Sequence, residues 1–138
     1  MNLTMSRILL IGLVILTLAI PVFAAPKPER DTAVDWLTLI DTQRFDQSRN
    51  ESSAFLKEHI TQAQWAKTLT DQRLPLGKPT SRTIVKKEFQ YQIPGIPTGT
   101  YELKVYRTTF PLKGEMNETV IMSRESDQKW RAIAYYIK

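Results

Sequence analysis

The ten residues Arg73-Leu74-Pro75-Leu76-Gly77-Lys78-Pro79-Thr80-Ser81-Arg82 force a corner in this chain. Pro75 and Pro79 each lack a backbone donor and push the residue before them, Leu74 or Lys78, out of the helical region. A helix arriving from the N-terminal side therefore stops near Arg73. Leu74 to Gly77 fits a type I turn, with Pro second and Gly fourth. Before the corner the apolar residues recur at helical spacing, and after it they alternate as in strands.

Three helices are expected ahead of the corner. Asp31 or Thr32 caps the first, whose apolar stripe is Ala33, Trp36, Leu37 and Ile40. A second, weaker helix spans Phe45 to Ile60, with Phe45, Ala54, Phe55 and Ile60 as its apolar residues and a kink or cap within the polar run 46–51. Thr61 and Gln64 match a capping box and open the third helix, which carries Trp65 and Leu69 to the corner.

Four strands are expected beyond it. Val85, Lys87, Phe89, Tyr91 and Ile93 alternate with polar residues and read as one long strand. Tyr101, Leu103 and Val105 begin a second, whose pattern shifts at Tyr106 to Thr108 as at a bulge or in a two-sided strand. Glu118, Val120, Met122 and Arg124 share one face of a third. The last strand runs from Trp130 to Ile137 with apolar groups on both faces, which places it at the centre of the sheet. Helices first and strands second argue an α+β domain: three N-terminal helices followed by a four-stranded antiparallel meander.

The N-terminus reads as an export signal over residues 1–24. Arg7 supplies the positive start, Ile8 to Ile20 is an apolar run of thirteen, and Pro21 breaks it. Val22-Phe23-Ala24 places small residues for cleavage between Ala24 and Ala25. Thirteen residues fall short of the roughly twenty needed to span a bilayer. Left uncleaved, residues 7–24 would act as an inner-membrane anchor. Residues 25–30 form a short polar lead, and 31–138 a single domain.

Without residues 1–24, 114 residues remain with a net charge of +4. The basic residues are scattered, so no nucleic-acid partner is expected. There is no Cys, which removes disulfides, thiolate nucleophiles, thiolate metal sites and lipid attachment at an N-terminal Cys. A chain of this size buries enough surface to stand on its core alone. The expected location is the periplasm or the exterior of a bacterial cell.

Little catalytic chemistry is on offer. His59 is the only histidine, beside Glu58 near a helix end, and reads as a surface residue ahead of a general acid or base. A zinc site would need carboxylates alone around it, so no metal is expected. Asp35 and Asp41 fall off the stripe of the first helix, where aspartates are ordinarily solvated. There is no G-x-S-x-G, no Ca²⁺ loop, and with five Gly in all no phosphate-binding loop, so no cofactor is expected. Asn50-Glu51-Ser52 and Asn117-Glu118-Thr119 match the glycan acceptor pattern, which matters only in a eukaryotic source. The aromatics Trp36, Trp65, Tyr101 and Trp130 line either a pocket or the core.

Arg73 and Arg82 flank the corner and arrive at one edge of the sheet. Two guanidiniums together suit a carboxylate in bidentate geometry. The acid is either internal, with Asp41, Asp71 or Glu102 pinning helices to sheet, or it belongs to an anionic ligand or partner. The internal pairing is the expected one.

The order and spacing of several short pieces resemble the DUF4019 family of small exported bacterial proteins. They are Trp36-Leu37-x-Leu39-Ile40-Asp41, Phe45 and Ser48, Trp65, and Arg73-x-Pro75-Leu76-Gly77-x-x-x-Ser81-Arg82. Pro94-Gly95-x-Pro97-x-Gly99-x-Tyr101 and Trp130-Arg131-x-x-x-Tyr135 complete the set. Gln128 and Ala134 stand where the family often has Gly. The resemblance implies no activity. Its helix and sheet order is similar to NTF2-like cone folds, in which helices pack on one sheet face and form ligand pockets or protein-binding modules. The expected function is a non-enzymatic envelope domain that binds a small ligand or an envelope protein. The alternative is a small cone-fold hydrolase or isomerase using Asp41 or His59.

Overall fold

The structure, a computed structural model, describes residues 30–138. The expected signal segment, the expected cleavage between Ala24 and Ala25, and the anchor expected over 7–24 if uncleaved lie outside the described residues. Four helices precede four strands. They are α1 (Thr32–Asp41), α2 (Phe45–Asn50), α3 (Ala54–His59) and α4 (Gln62–Gln72), then β1 (Ser81–Gln90), β2 (Tyr101–Phe110), β3 (Gly114–Arg124) and β4 (Trp130–Ile137). The strands form one antiparallel sheet in the order β1-β2-β3-β4.

Asp31 is the N-cap of α1 and accepts from the Ala33 amide at 3.0 Å. The stripe Ala33, Trp36, Leu37 and Ile40 is buried, joined by Leu39. The single helix expected over Phe45 to Ile60 is instead two. Ser52 turns its hydroxyl back to the Ser48 carbonyl, and Ser53 caps α3 through the Leu56 amide. Ser53 also donates its own amide to the Ala132 carbonyl on β4, a bond that a continuous helix would forbid. Arg49 closes the far end of α3, donating to the carbonyls of Lys57 and Ile60 at 2.7 and 2.8 Å.

Thr61 and Gln64 form the reciprocal capping box of α4, which buries Trp65 and Leu69. The break falls where the prolines require it. Arg73 is the C-cap, Leu74–Leu76 makes one turn of 3₁₀ helix, and Gly77 follows at φ 80°, ψ −179°, a region open essentially to Gly alone.

In the sheet, three expectations are corrected. First, the long apolar strand of residues 85–93 ends at Gln90 and is interrupted. Ile84 pairs with Tyr106 and Lys86 with Val105, so Val85 is bulged out and the alternation changes phase. Second, β2 pairs one-to-one with β3 from Tyr101 to Phe110, so it holds no bulge and is two-sided. Third, β4 is an edge strand. Both its faces carry apolar groups because each meets an apolar cluster. One packs under α1 and α4, while Ile133 and Ala134 lie in a second cluster with Tyr101, Ile121, Phe55, Ile93 and Ile96. Its open edge is capped at the Ile133 bulge by the Ser53 amide.

The main core lies between α1, α4 and the inner face of β2–β4. It contains Trp36, Leu37, Ile40, Trp65, Leu69, Tyr106, Val120, Met122 and Ala132. Each large apolar side chain buried there contributes roughly 1.5–3 kcal/mol. The helices leave β1 uncovered, and Ile84, Val85 and Phe89 stand exposed.

Candidate functional site

Strand alternation on β2 and β3 sends Thr108 and Glu118 inward with Tyr106, Val120 and Met122. Glu118 is fully buried, and a carboxylate there demands partners. Arg82 supplies one: its Nε donates to Glu118 Oε2 at 2.8 Å. Its two terminal nitrogens grip Asp41, Nη1 to Oδ2 at 2.8 Å and Nη2 to Oδ1 at 3.0 Å. Arg73 completes the cluster, donating Nη2 to Asp41 Oδ1 at 2.7 Å and Nη1 to the Gly77 carbonyl at 2.8 Å. Its guanidinium also lies over the Phe110 ring, 4.5 Å from the centroid. Thr108 and Tyr135 donate their hydroxyls to the two oxygens of Glu118 at 2.6 and 2.7 Å.

Two cations and two anions thus balance inside the fold. The Arg73, Asp41, Arg82 and Glu118 side chains are 4%, 9%, 11% and 0% exposed. Burial works against the Arg82 charge, but the hydrogen bonds and charges of Asp41 and Glu118 outweigh it and hold the guanidinium ever more firmly protonated. Burial, then the Glu118 charge, pushes the Tyr135 hydroxyl far above the usual phenol range, so it remains a donor.

The structure brings Arg73, Arg82 and Asp41 together and leaves the other two acids apart. Asp71 pairs with Lys67 at the surface. Glu102 belongs to a second cluster, between Lys87 at 2.8 Å and Lys104 at 3.1 Å. Lys104 reaches Asp31 at 2.8 Å, and Tyr106 donates to the other oxygen of Asp31. This ties the start of α1 to β2. Asp41 is not solvated, which corrects its reading as an off-stripe surface residue, whereas Asp35 is exposed enough to pair with Arg30 in water. His59 is exposed, stacked on Phe55, with Nδ1 2.7 Å from the Phe55 carbonyl oxygen.

Glu118, Thr108 and Tyr135 are the members that sequence reasoning missed. A signal existed for the first: an acid on the same strand face as Val120 and Met122 must be paired or functional.

The aromatics divide. Trp36 and Trp65 are core residues whose rings tilt against each other and whose indoles both end on Ser48, at its carbonyl and its hydroxyl. Tyr101 lies in the cluster behind the sheet and donates to the Pro97 carbonyl. Trp130 is partly buried beside exposed Phe89.

Beside the charged cluster, α4 and the ends of β3 and β4 leave a cleft of about 340 Å³. Trp65, Leu69, Leu76, Met116, Tyr135 and Ile137 make apolar walls, Thr68 and Gln72 contribute polar groups, and Arg73 is its one charged lining residue. Arg73 Nε is the one buried side-chain nitrogen or oxygen without a hydrogen bond among the described residues. It stands 3.9 Å from Glu118 Oε1, too far to bond.

The sequence model of the family described as "Protein of unknown function (DUF4019)" matches residues 32–135. The chain belongs to the DUF4019 family. No curated protein and no solved structure matches it. In this DUF4019 domain, no group of three or more His, Asp or Glu is placed to hold a metal among the described residues. No helix there is long and apolar enough to cross a membrane.

Proposed function

We propose that this DUF4019 protein is an exported envelope domain that binds rather than catalyses. Its helices, packed on one face of the sheet, form an NTF2-like cone whose open end is the cleft beside Arg73. A small ligand held there, or an envelope protein inserting a side chain, is the partner this reading expects.

The observation that carries it is the contrast between an open apolar cleft and the two buried acids beside it, Asp41 and Glu118, which are both engaged. Each oxygen of Asp41 and Glu118 already accepts from Arg73, Arg82, Thr108 or Tyr135. Neither is free to take a proton from a substrate, and general base work needs a free, positioned group. His59 lies outside the cleft on the surface of α3. The cleft has the size and lining of a small-molecule site, at the lower end of the usual range.

Protein purified from the periplasm of expressing cells should begin at Ala25 and carry a small molecule that is released on unfolding. A Met116→Trp variant, with the cleft filled from β3, should carry none. Retention in the cytoplasm with an intact N-terminus would overturn export. Turnover of simple esters that survives Met116→Trp but disappears in Asp41→Asn would overturn the binding reading.

A further inference from the structure

We propose that the inner face of β1 carries a second binding site, for a small aromatic carboxylate, at a cleft of about 360 Å³ between the start of α1, β1 and β2. The volume suits a small-molecule site. This cleft shares no lining residue with the one beside Arg73, so the inference goes beyond the binding reading above.

The bulge at Val85 builds the apolar wall. Ile84 and Phe89 are five residues apart, and in a regular strand they would face opposite sides. Across the bulge, Ile84 pairs with Tyr106, Lys87 with Lys104 and Phe89 with Glu102, so the three β1 side chains share the inner face. Ile84 and Phe89 line the cleft while 44% and 53% exposed. At the start of β4, Trp130 tilts its ring against Phe89, with the centroids 6.2 Å apart. A flat aromatic body laid on this wall removes open apolar surface from water and meets rings in the offset or edge contacts that they favour.

The carboxylate follows from the charges. Arg30, Lys87 and Lys104 line the cleft against two acids, Asp31 and Glu102. Each oxygen of those acids already accepts from within the fold. Glu102 takes Lys87 and Lys104, and Asp31 takes Lys104, the Ala33 amide and the Tyr106 hydroxyl. A cationic ligand would have to displace a lysine. The surplus positive charge is within reach of solvent, because the Arg30 and Lys87 side chains are 82% and 50% exposed. Arg30 pairs with Asp35, itself well exposed, and an ion pair in water holds its guanidinium weakly. Arg30 can therefore turn to a ligand carboxylate in bidentate geometry, while Lys87 keeps Glu102 and adds its charge.

2-Naphthoate, 2-naphthamide and 2-naphthylmethylammonium test this, because they share the ring and differ in charge. Each is titrated at neutral pH and low salt into the protein as purified from expressing cells. Binding is read from the Ile84 methyls, the Phe89 ring and the Trp130 indole N–H, while the Met116 and Ile137 methyls report on the other cleft. Naphthoate should shift the first three signals and bind about threefold or more tighter than naphthamide, a margin that shrinks as salt rises. The ammonium should bind weakest. Phe89→Ala should weaken naphthoate and naphthamide alike, and Arg30→Gln, at the more exposed position, should weaken naphthoate alone. Naphthamide or the ammonium binding as tightly as naphthoate would overturn the carboxylate, as would naphthoate affinity unchanged in Arg30→Gln. Silence at Ile84, Phe89 and Trp130 with all three probes would overturn the site. Shifts of Met116 and Ile137 alone would do the same and leave the binding reading standing.

Discussion

The guanidinium of Arg82, at the start of β1, closes on both carboxylate oxygens of Asp41, at the end of α1, at 2.8 and 3.0 Å. This fork bolts the first helix to the first strand and continues through Nε to Glu118 on β3. Arg82→Lys keeps the charge but satisfies fewer acceptors. It should cost about 1–3 kcal/mol. For a domain of this size that is a fall of several degrees in Tm by calorimetry. A variant that melts with the wild type would show that the fork contributes nothing.

Glu118→Gln keeps the shape and removes the charge. Arg73 and Arg82 would then face Asp41 alone, with an uncompensated cation buried. Removing one partner of a buried pair typically costs about 3–5 kcal/mol. The urea midpoint should drop accordingly with the slope unchanged. A midpoint shift smaller than that of Arg82→Lys would contradict the central place of Glu118.

Ser48 serves two indoles, accepting from Trp36 at its carbonyl and from Trp65 at its hydroxyl, 2.9 Å away. Ser48→Ala strands the Trp65 N–H in the core and should cost about 1–3 kcal/mol. Exposed Ser126→Ala should fall within about 0.5 kcal/mol of wild type. Equal stabilities for the two variants would exclude the role given to the Ser48 hydroxyl.

Two positions with positive φ should respond in opposite directions. At Gly77 an added Cβ would meet Pro111 Cγ at 2.9 Å, in a backbone region only Gly favours, so Gly77→Ala should destabilise by about 1–3 kcal/mol. Gln128 closes the β3–β4 hairpin at φ 65°. Gln128→Gly relieves roughly 1–2 kcal/mol of left-handed strain against a smaller entropic loss, so a slight gain is expected. Thermal melts of both variants check the signs.

Stability should fall in acid partly through Asp31. Burial pulls its carboxyl upward, but hydrogen bonds from Lys104 and Tyr106, with the Lys104 charge, outweigh burial and hold it below 3.8. A depressed folded value contributes stability that is fully present above the unfolded pKa and is lost as pH falls through the folded one. Carboxyl NMR should place the Asp31 titration below 3.8 in the wild type and higher in Lys104→Met. An unshifted Asp31 in that variant would remove Lys104 as the cause.

What local sequence decides, it decides through neighbours. Pro75 and Pro79 end α4 and set the corner because each acts on its own backbone and on the residue before it. Asp31 and the Thr61–Gln64 box start helices through bonds spanning two or three residues. Stripes and alternations then mark which faces need cover, so the α+β class, the helix-then-strand order and the antiparallel meander are legible before any packing is known. The pairing of Arg73, Arg82 and Asp41 was open in the same pattern as one of several arrangements. Packing alone selects it, because the partners lie 32 and 41 residues apart. The same holds for Glu118, 36 residues from Arg82. The division of residues 45–60 into two helices needs the Ala132 carbonyl on β4, and the Val85 bulge needs its register against β2. The edge place of β4 depends on what covers its back. A residue's spacing states that it must be buried or paired. Only the elements that arrive across tens of residues determine against what.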